Sequence, residues 1–217
     1  KPLAMPWVKE NADAVLVQWY AGEQQGRTLA DILLGKVNPS GKLNVSFPRS
    51  TGNTPCFYNH FVTDREESFD QPGTPEEPKG HYIFDKPEPL WNFGHGKSYT
   101  TFDYVDCALS DTLLAASDTL KVSVMIKNTG RCDGKEVVQL YVRDKVSTVA
   151  TPIQQLKAFQ KELVPVGYTR EVKLVLRIAE LALYNADMEE VIEPGEFELQ
   201  IGSASDDIRI RRTIIVR

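Results

Sequence analysis

The sequence predicts a two-domain α+β chain: a partial α/β layer built on a parallel sheet, then an antiparallel β-sandwich. Three features carry that prediction. Near-continuous apolar runs and a helical period occur only before Pro48, whereas strict two-residue alternation of apolar and polar side chains begins only after Phe102. Between them Pro89 to Phe102 reads PLWNFGHGKSYTTF, with Gly94 and Gly96 flanking His95. Glycine reaches backbone angles closed to other residues, and Trp91, Phe93, Tyr99 and Phe102 supply apolar area to bury a crossover between two layers. The predicted division is therefore 1–89 for the α/β part with a long Pro-rich loop, 90–102 for the junction and 103–217 for the sandwich.

Taken in order, Pro6 to Ala12 carries Pro at a first helical turn and reads as the end of a surface helix. Asp13 to Tyr20, DAVLVQWY, is an apolar run of strand length, the pattern of a parallel strand covered on both faces. A Gly-bounded turn leads to Arg27 to Leu34, where Leu29, Ile32 and Leu33 recur at helical spacing and Gly35 follows as a C-terminal cap. Asn38 to Gly41 forms a turn, and Lys42 to Phe47 a second strand. A parallel sheet needs more strands than these, so its remainder is expected upstream of Lys1. From Thr51 to Pro89 no period survives. Pro55, Pro72, Pro75, Pro78, Pro87 and Pro89 forbid long regular elements there, and Glu66, Glu67, Glu76 and Glu77 are expected to face water.

After the junction Leu120, Val122, Val124 and Ile126 alternate with polar residues, as do Val138, Leu140 and Val142, then Val172, Leu174 and Leu176. Phe197, Leu199 and Ile201 repeat the pattern, followed by Ile208 and Ile210, with turn signals between the runs. About seven short strands so spaced indicate a sandwich of immunoglobulin or fibronectin type III shape. No Cys, Trp, Cys pattern marks a true immunoglobulin domain.

A net charge of −5 with scattered basic residues argues against nucleic acid or an anionic membrane as partner. No apolar run has the length of a membrane span. Cys56, Cys107 and Cys132 give an odd count without CxxC spacing, so neither a disulfide framework nor a zinc site is indicated and no cofactor is expected. The opening KPLAMPW is neither a start methionine nor a signal peptide and reads as the edge of an excised segment.

The stretches WYAGEQQGRTLADILLGKVNPSGKLNVSFP, PLWNFGHGKSYTTF, KNTGRCDGKEVVQLYVRD and EPGEFELQIGSASDDIR, in this order, closely resemble the C-terminal part of glycoside hydrolase family 3, the β-glucosidase and β-xylosidase family. The resemblance implies that residues 1–89 close an α/β sandwich domain and that Phe102 onward forms a fibronectin type III-like domain. It implies a parent that hydrolyses β-linked oligosaccharides or aryl glycosides with retention, and whose barrel and remaining α/β domain are this chain's partners. The nucleophilic aspartate and the acid/base glutamate of the family are then expected upstream of Lys1, so no catalytic residue is assigned here. The sugar, glucose or else xylose or arabinose, is not decided by these residues. The alternative from another class is a non-catalytic carbohydrate-binding or structural module, which the fibronectin type III-like half supports by shape alone. A periplasmic or secreted parent is expected, with the cytoplasm as alternative, and homo-oligomerisation is open.

Retaining glycosidases need two carboxylates about 5–5.5 Å apart, one ionised and one protonated. Asp206 with Asp207, and Glu189 with Glu190, sit at turns and read as solvated charge. Glu23 alone stands where α/β folds put chemistry, just past a strand's C-terminal end, although Gly22 and Gly26 explain the stretch equally as a strand-to-helix turn. Phe57, Tyr58, Asn59 and His60 could line a sugar site, with rings packing on sugar C–H surfaces and amides on hydroxyls. The competing reading is that the aromatics pin a long loop. His60, His81 and His95 do not assemble into a metal site by spacing. Asn44, Val45 and Ser46 match a glycosylation acceptor inside an expected strand, where the match reads as accidental.

Overall fold

A computed structural model describes residues 1–61, 74–76, 86 and 88–217. Its regular structure is α1 (Pro6–Asn11), α2 (Gln25–Leu33), β1 (Phe102–Leu109), β2 (Leu113–Leu114), β3 (Thr119–Asn128), β4 (Gly134–Asp144), β5 (Gln155–Val164), β6 (Thr169–Arg177), β7 (Leu183–Tyr184), β8 (Glu190–Val191), β9 (Gly195–Ala204) and β10 (Asp207–Val216). A 3-10 turn, Ile178–Leu181, follows β6. The chain is mostly sheet with few helices, an α/β-type N-terminal part preceding a β-sandwich.

One sheet has the order β1-β3-β6 and a second β2-β10-β9-β4-β5, and β7 pairs with β8 in a two-stranded ladder. All pairs are antiparallel except β2 with β10, where Leu113 and Leu114 run parallel to Ile215 and Val216. The predicted alternation places Leu120, Val122, Val124 and Ile126 of β3 inward, all fully buried against Val172, Leu174 and Leu176 of β6 and the facing Val138, Leu140, Leu199 and Ile201. Such apolar packing between two sheets supplies most of the drive to fold. Central β4 is buried on both faces, Gln139 and Tyr141 included, because the chain N-terminal to the sandwich covers its outer face.

Near the N-terminus α1 and α2 form where helices are predicted. α2 begins two residues before Arg27 and ends one residue before Leu34, and Gly35 at φ +71° caps it by donating to the Ile32 carbonyl at 2.9 Å. The two expected strands take other forms. No strand among the described residues pairs with 13–20, and without a ladder partner the apolar run stays irregular, with Tyr20 99% exposed. Lys42 to Phe47 finds a partner in the junction instead of a parallel neighbour. Leu43 N–H donates to the His95 carbonyl at 2.8 Å and Gly94 N–H to the Leu43 carbonyl at 2.7 Å. Phe47 N–H bonds the Trp91 carbonyl and Leu90 N–H the Phe47 carbonyl, both at 2.8 Å. Glu76 is exposed, as expected, while Glu66, Glu67 and Glu77 lie outside the described residues.

Candidate functional site

The junction places one loop and one turn against the sandwich. Gly94 has φ +83°, and a Cβ there would collide with the Gln139 amide and come within 2.9 Å of the Ala204 Cα. Phe93 stacks on Tyr58 with centroids 4.3 Å apart, and its carbonyl accepts the Ser205 N–H at 3.0 Å. Tyr58 in turn meets Tyr141 edge-on at 5.8 Å, and its hydroxyl accepts the Leu156 N–H at 3.1 Å. Burial holds the Tyr141 hydroxyl well above the ordinary phenol range, and it donates to Gln139 Oε1 at 2.6 Å.

The four clustered candidates thus have different surroundings. Tyr58 is a half-buried pin between Phe93, β4 and β5. Phe57 is exposed, and Asn59 is half-buried beside it. His60 sets its Nδ1 3.0 Å from the Phe61 carbonyl, its own carbonyl accepts the Ile153 N–H at 2.9 Å, and Phe61 bridges to Pro152. Glu23 stands exposed in the turn that leads into α2. The structure therefore gathers Tyr58 and His60 onto the β4 and β5 side of the sandwich, while Glu23 belongs to the solvent side of the N-terminal part.

The carboxylates have identifiable occupations. Glu136 is the buried one, 5% exposed, 3.4 Å from Lys42 Nζ, and it accepts from the Tyr104 hydroxyl at 3.2 Å. Burial pushes its carboxyl up, and Lys42 opposes that shift. Lys42 also donates to the Gly96 carbonyl at 3.2 Å, so this polar cluster ties the N-terminal part to β4 and β1. Asp207 is held below the usual carboxylate range by hydrogen bonds from Arg209 and Ser203. Asp206 accepts from Asn92 Nδ2 at 2.7 Å, and Glu189 and Glu190 are exposed. None of these carboxylates pairs with a second one as acid and nucleophile. Sequence reasoning passed over Glu136, although the two-residue period puts it on the same face of β4 as Val138 and Leu140, which is the signal that marks it as inward.

Among the described residues no three His, Cys, Asp or Glu side chains group to hold a metal ion. His95, half-buried, has its pKa lowered by burial and by Lys97, and His81 lies outside the described residues. Asn44 is exposed and Ser46 buried. No helix among the described residues is long and apolar enough to cross a membrane.

Residues 1–99 match the glycosyl hydrolase family 3 C-terminal domain, and residues 136–205 a fibronectin type III-like domain. The chain is 38% identical over 211 residues to a β-xylosidase of Formosa agariphila, covering 96% of this chain and 28% of that protein. It is 37% identical to a periplasmic β-glucosidase of Salmonella typhimurium, covering 96% and 27% respectively. The crystal structure of a β-glucosidase from Listeria innocua in complex with glucose superposes with a TM-score of 0.87 at 36% identity, over all of this chain and 29% of that one. The chain spans little more than a quarter of the length of the relatives it matches. With both domain models in order and nearly the whole chain aligned, the chain belongs to glycoside hydrolase family 3 and corresponds to the C-terminal part of its members.

Proposed function

We propose that this chain is the non-catalytic C-terminal portion of a retaining exo-β-glycosidase, most simply a β-glucosidase that removes terminal β-D-glucosyl residues. The observation that carries the reading is similarity along nearly the whole chain to β-glucosidases and β-xylosidases alike, three of them at 36–38% identity. The carboxylates of this chain fit it, because each one located in the site is tied into a structural cluster or solvated. The chain's work is then to brace the catalytic part and shape its surroundings. Exposed Trp7, Trp19, Tyr20, Leu33 and Leu34 suit contact with the rest of an α/β domain and a barrel.

A β-xylosidase is the second reading, supported by the xylosidase relative. Periplasmic or secreted placement accords with the name of the Salmonella relative and is checked by fractionating the source cells. The deciding experiment combines the mass of the native protein with its rates on 4-nitrophenyl β-glucoside and β-xyloside. Hydrolysis by a protein far heavier than 24.4 kDa supports the glycosidase reading, and the ratio of rates assigns the sugar. Hydrolysis by the 217-residue chain alone would overturn its non-catalytic role.

A further inference from the structure

The outer face of the five-stranded sheet carries a cleft of about 290 Å³ beside the Tyr58 and His60 loop. That is near the lower limit, about 300 Å³, for pockets that take small ligands. Its lining comes from β4, from the stretch ahead of β5 and from the β9–β10 hairpin. Arg143 stands on β4, Gln200 on β9, Ile208 on β10, and Ile153 and Gln154 lie just ahead of β5, with Asp206 in the turn between β9 and β10.

The hydrogen bonds at the cleft leave a particular remainder. Gln154 and Gln200 are 8% and 5% exposed, and each spends its amide NH₂ on a protein acceptor, Gln154 on the Ser205 carbonyl at 3.0 Å and Gln200 on Glu198 Oε1 at 2.6 Å. Their amide oxygens accept from no group among the described residues. Arg143 is half-buried, and its guanidinium donates to no such group, although it lies close enough to Glu198 to help lower that carboxyl's pKa. Arg211 differs, being tied to Glu198 Oε1 at 2.6 Å. The cleft is therefore lined by a planar fork of open donors and by two nearly buried amides whose oxygens are open, together with Asp206.

That remainder selects a ligand class. A phosphate or carboxylate would satisfy Arg143 but would meet the two amide oxygens and Asp206 as repulsive acceptors. A ligand with neighbouring hydroxyls donates and accepts at once, and so satisfies both sets. Ile153 and Ile208 offer apolar surface to a C–H face. The exposed ring of Phe61 stands at the adjoining edge, where its backbone bridges to Pro152 next to Ile153.

We infer that this cleft is a saccharide-binding site on the fibronectin type III-like domain, built on Arg143, Gln154 and Gln200. That its occupant is a β-linked oligosaccharide rests on the glycosidase reading; the polyol chemistry does not.

The test is a titration of the ¹⁵N-labelled chain with cellotetraose, xylotetraose and inorganic phosphate, followed by amide chemical shifts. The expected result is saturable shifts at Ile153, Ser205 and the side-chain amides of Gln154 and Gln200 with a tetrasaccharide and none with phosphate. Arg143→Ala should weaken sugar binding about tenfold, because a charge-assisted bond is lost. Should that variant misfold, the shift map of the unmodified chain decides alone. Saturable shifts with phosphate alone, or none at the cleft with either sugar, would overturn the assignment. Aryl glucoside hydrolysis by the intact protein without cleft shifts removes this site and spares the glycosidase. Cleft shifts without hydrolysis do the reverse.

Discussion

Asn128 ends β3 with all four amide valences used inside the protein. Its Oδ1 accepts from Thr100 Oγ1 at 2.6 Å and from the Gly130 N–H at 3.0 Å, while its Nδ2 donates to the Cys132 and Val164 carbonyls at 2.8 and 2.9 Å. The residue is fully buried, so truncation leaves four partners without it, and those at Thr100 and Val164 are out of reach of water. Asn128→Ala should cost roughly 2–4 kcal/mol, read as a lower midpoint in urea unfolding with little change in slope. Asp207 offers a different, pH-dependent contribution. Its folded pKa is depressed by the hydrogen bonds from Arg209 and Ser203, so the stabilisation is present above the unfolded carboxylate value of about 3.9 and is lost as pH falls through the folded one. Asp207→Asn should flatten the acid limb of a plot of melting temperature against pH below about pH 4 and leave the neutral region's slope unchanged. An unaltered acid limb would show that other carboxylates govern it. At this scale the sequence was a partial guide. Asn128 is legible as a turn residue with Gly130 and Cys132 close behind it, but Thr100 and Val164 come from the junction and β5, which spacing cannot bring together.

Elements were legible where their stability is local or where their partners lie within the chain. The β3 alternation reads correctly because a two-residue period has one meaning once a face is buried, and α2 reads correctly from its apolar spacing and Gly35. The run Asp13 to Tyr20 misled in form, since an apolar stretch becomes a strand only beside another strand. Lys42 to Phe47 misled in its partner. It pairs with the junction through four backbone bonds, and nothing in its own composition distinguishes that from a parallel neighbour. The cover of the outer face of β4 was invisible for the same reason, so nothing in the sequence marks Gln139 and Tyr141 as buried. The seam suggests a paired experiment on two glycines of similar backbone angle. Gly94 at φ +83° faces the Gln139 amide and the Ala204 backbone, whereas at Gly22, φ +74°, an added methyl would meet nothing within 4 Å. Gly22→Ala should cost on the order of 1 kcal/mol for its backbone angle alone. Gly94→Ala should cost distinctly more and should speed proteolysis between 89 and 102, because the junction must lift from β9. Equal losses in thermal melts would mean that the seam is not tightly packed.

The whole molecule is asymmetric in how well it hides its apolar groups. The sandwich encloses a continuous core, while the chain before the junction leaves Trp7, Tyr20, Leu33 and Leu34 at 68–99% exposure, with Val15, Leu16 and Trp19 also open. Scattered exposed apolar residues are ordinary, but this many on so short a stretch marks a surface that binds something. In the proposed parent that something is the remainder of the α/β domain and the barrel. Taken alone, the 217-residue chain should satisfy the surface with copies of itself. Sedimentation velocity over a rising concentration series should therefore show reversible growth in mass, and a dye that fluoresces on apolar surfaces should bind more at low concentration than at high. Trp7→Lys combined with Leu34→Glu should shift the association to higher concentration while leaving the melting of the sandwich in place, since neither side chain belongs to its core. A chain that stays monomeric throughout, with no dye binding, would mean that this stretch folds its apolar residues away in solution, and the docking role proposed for it would fall.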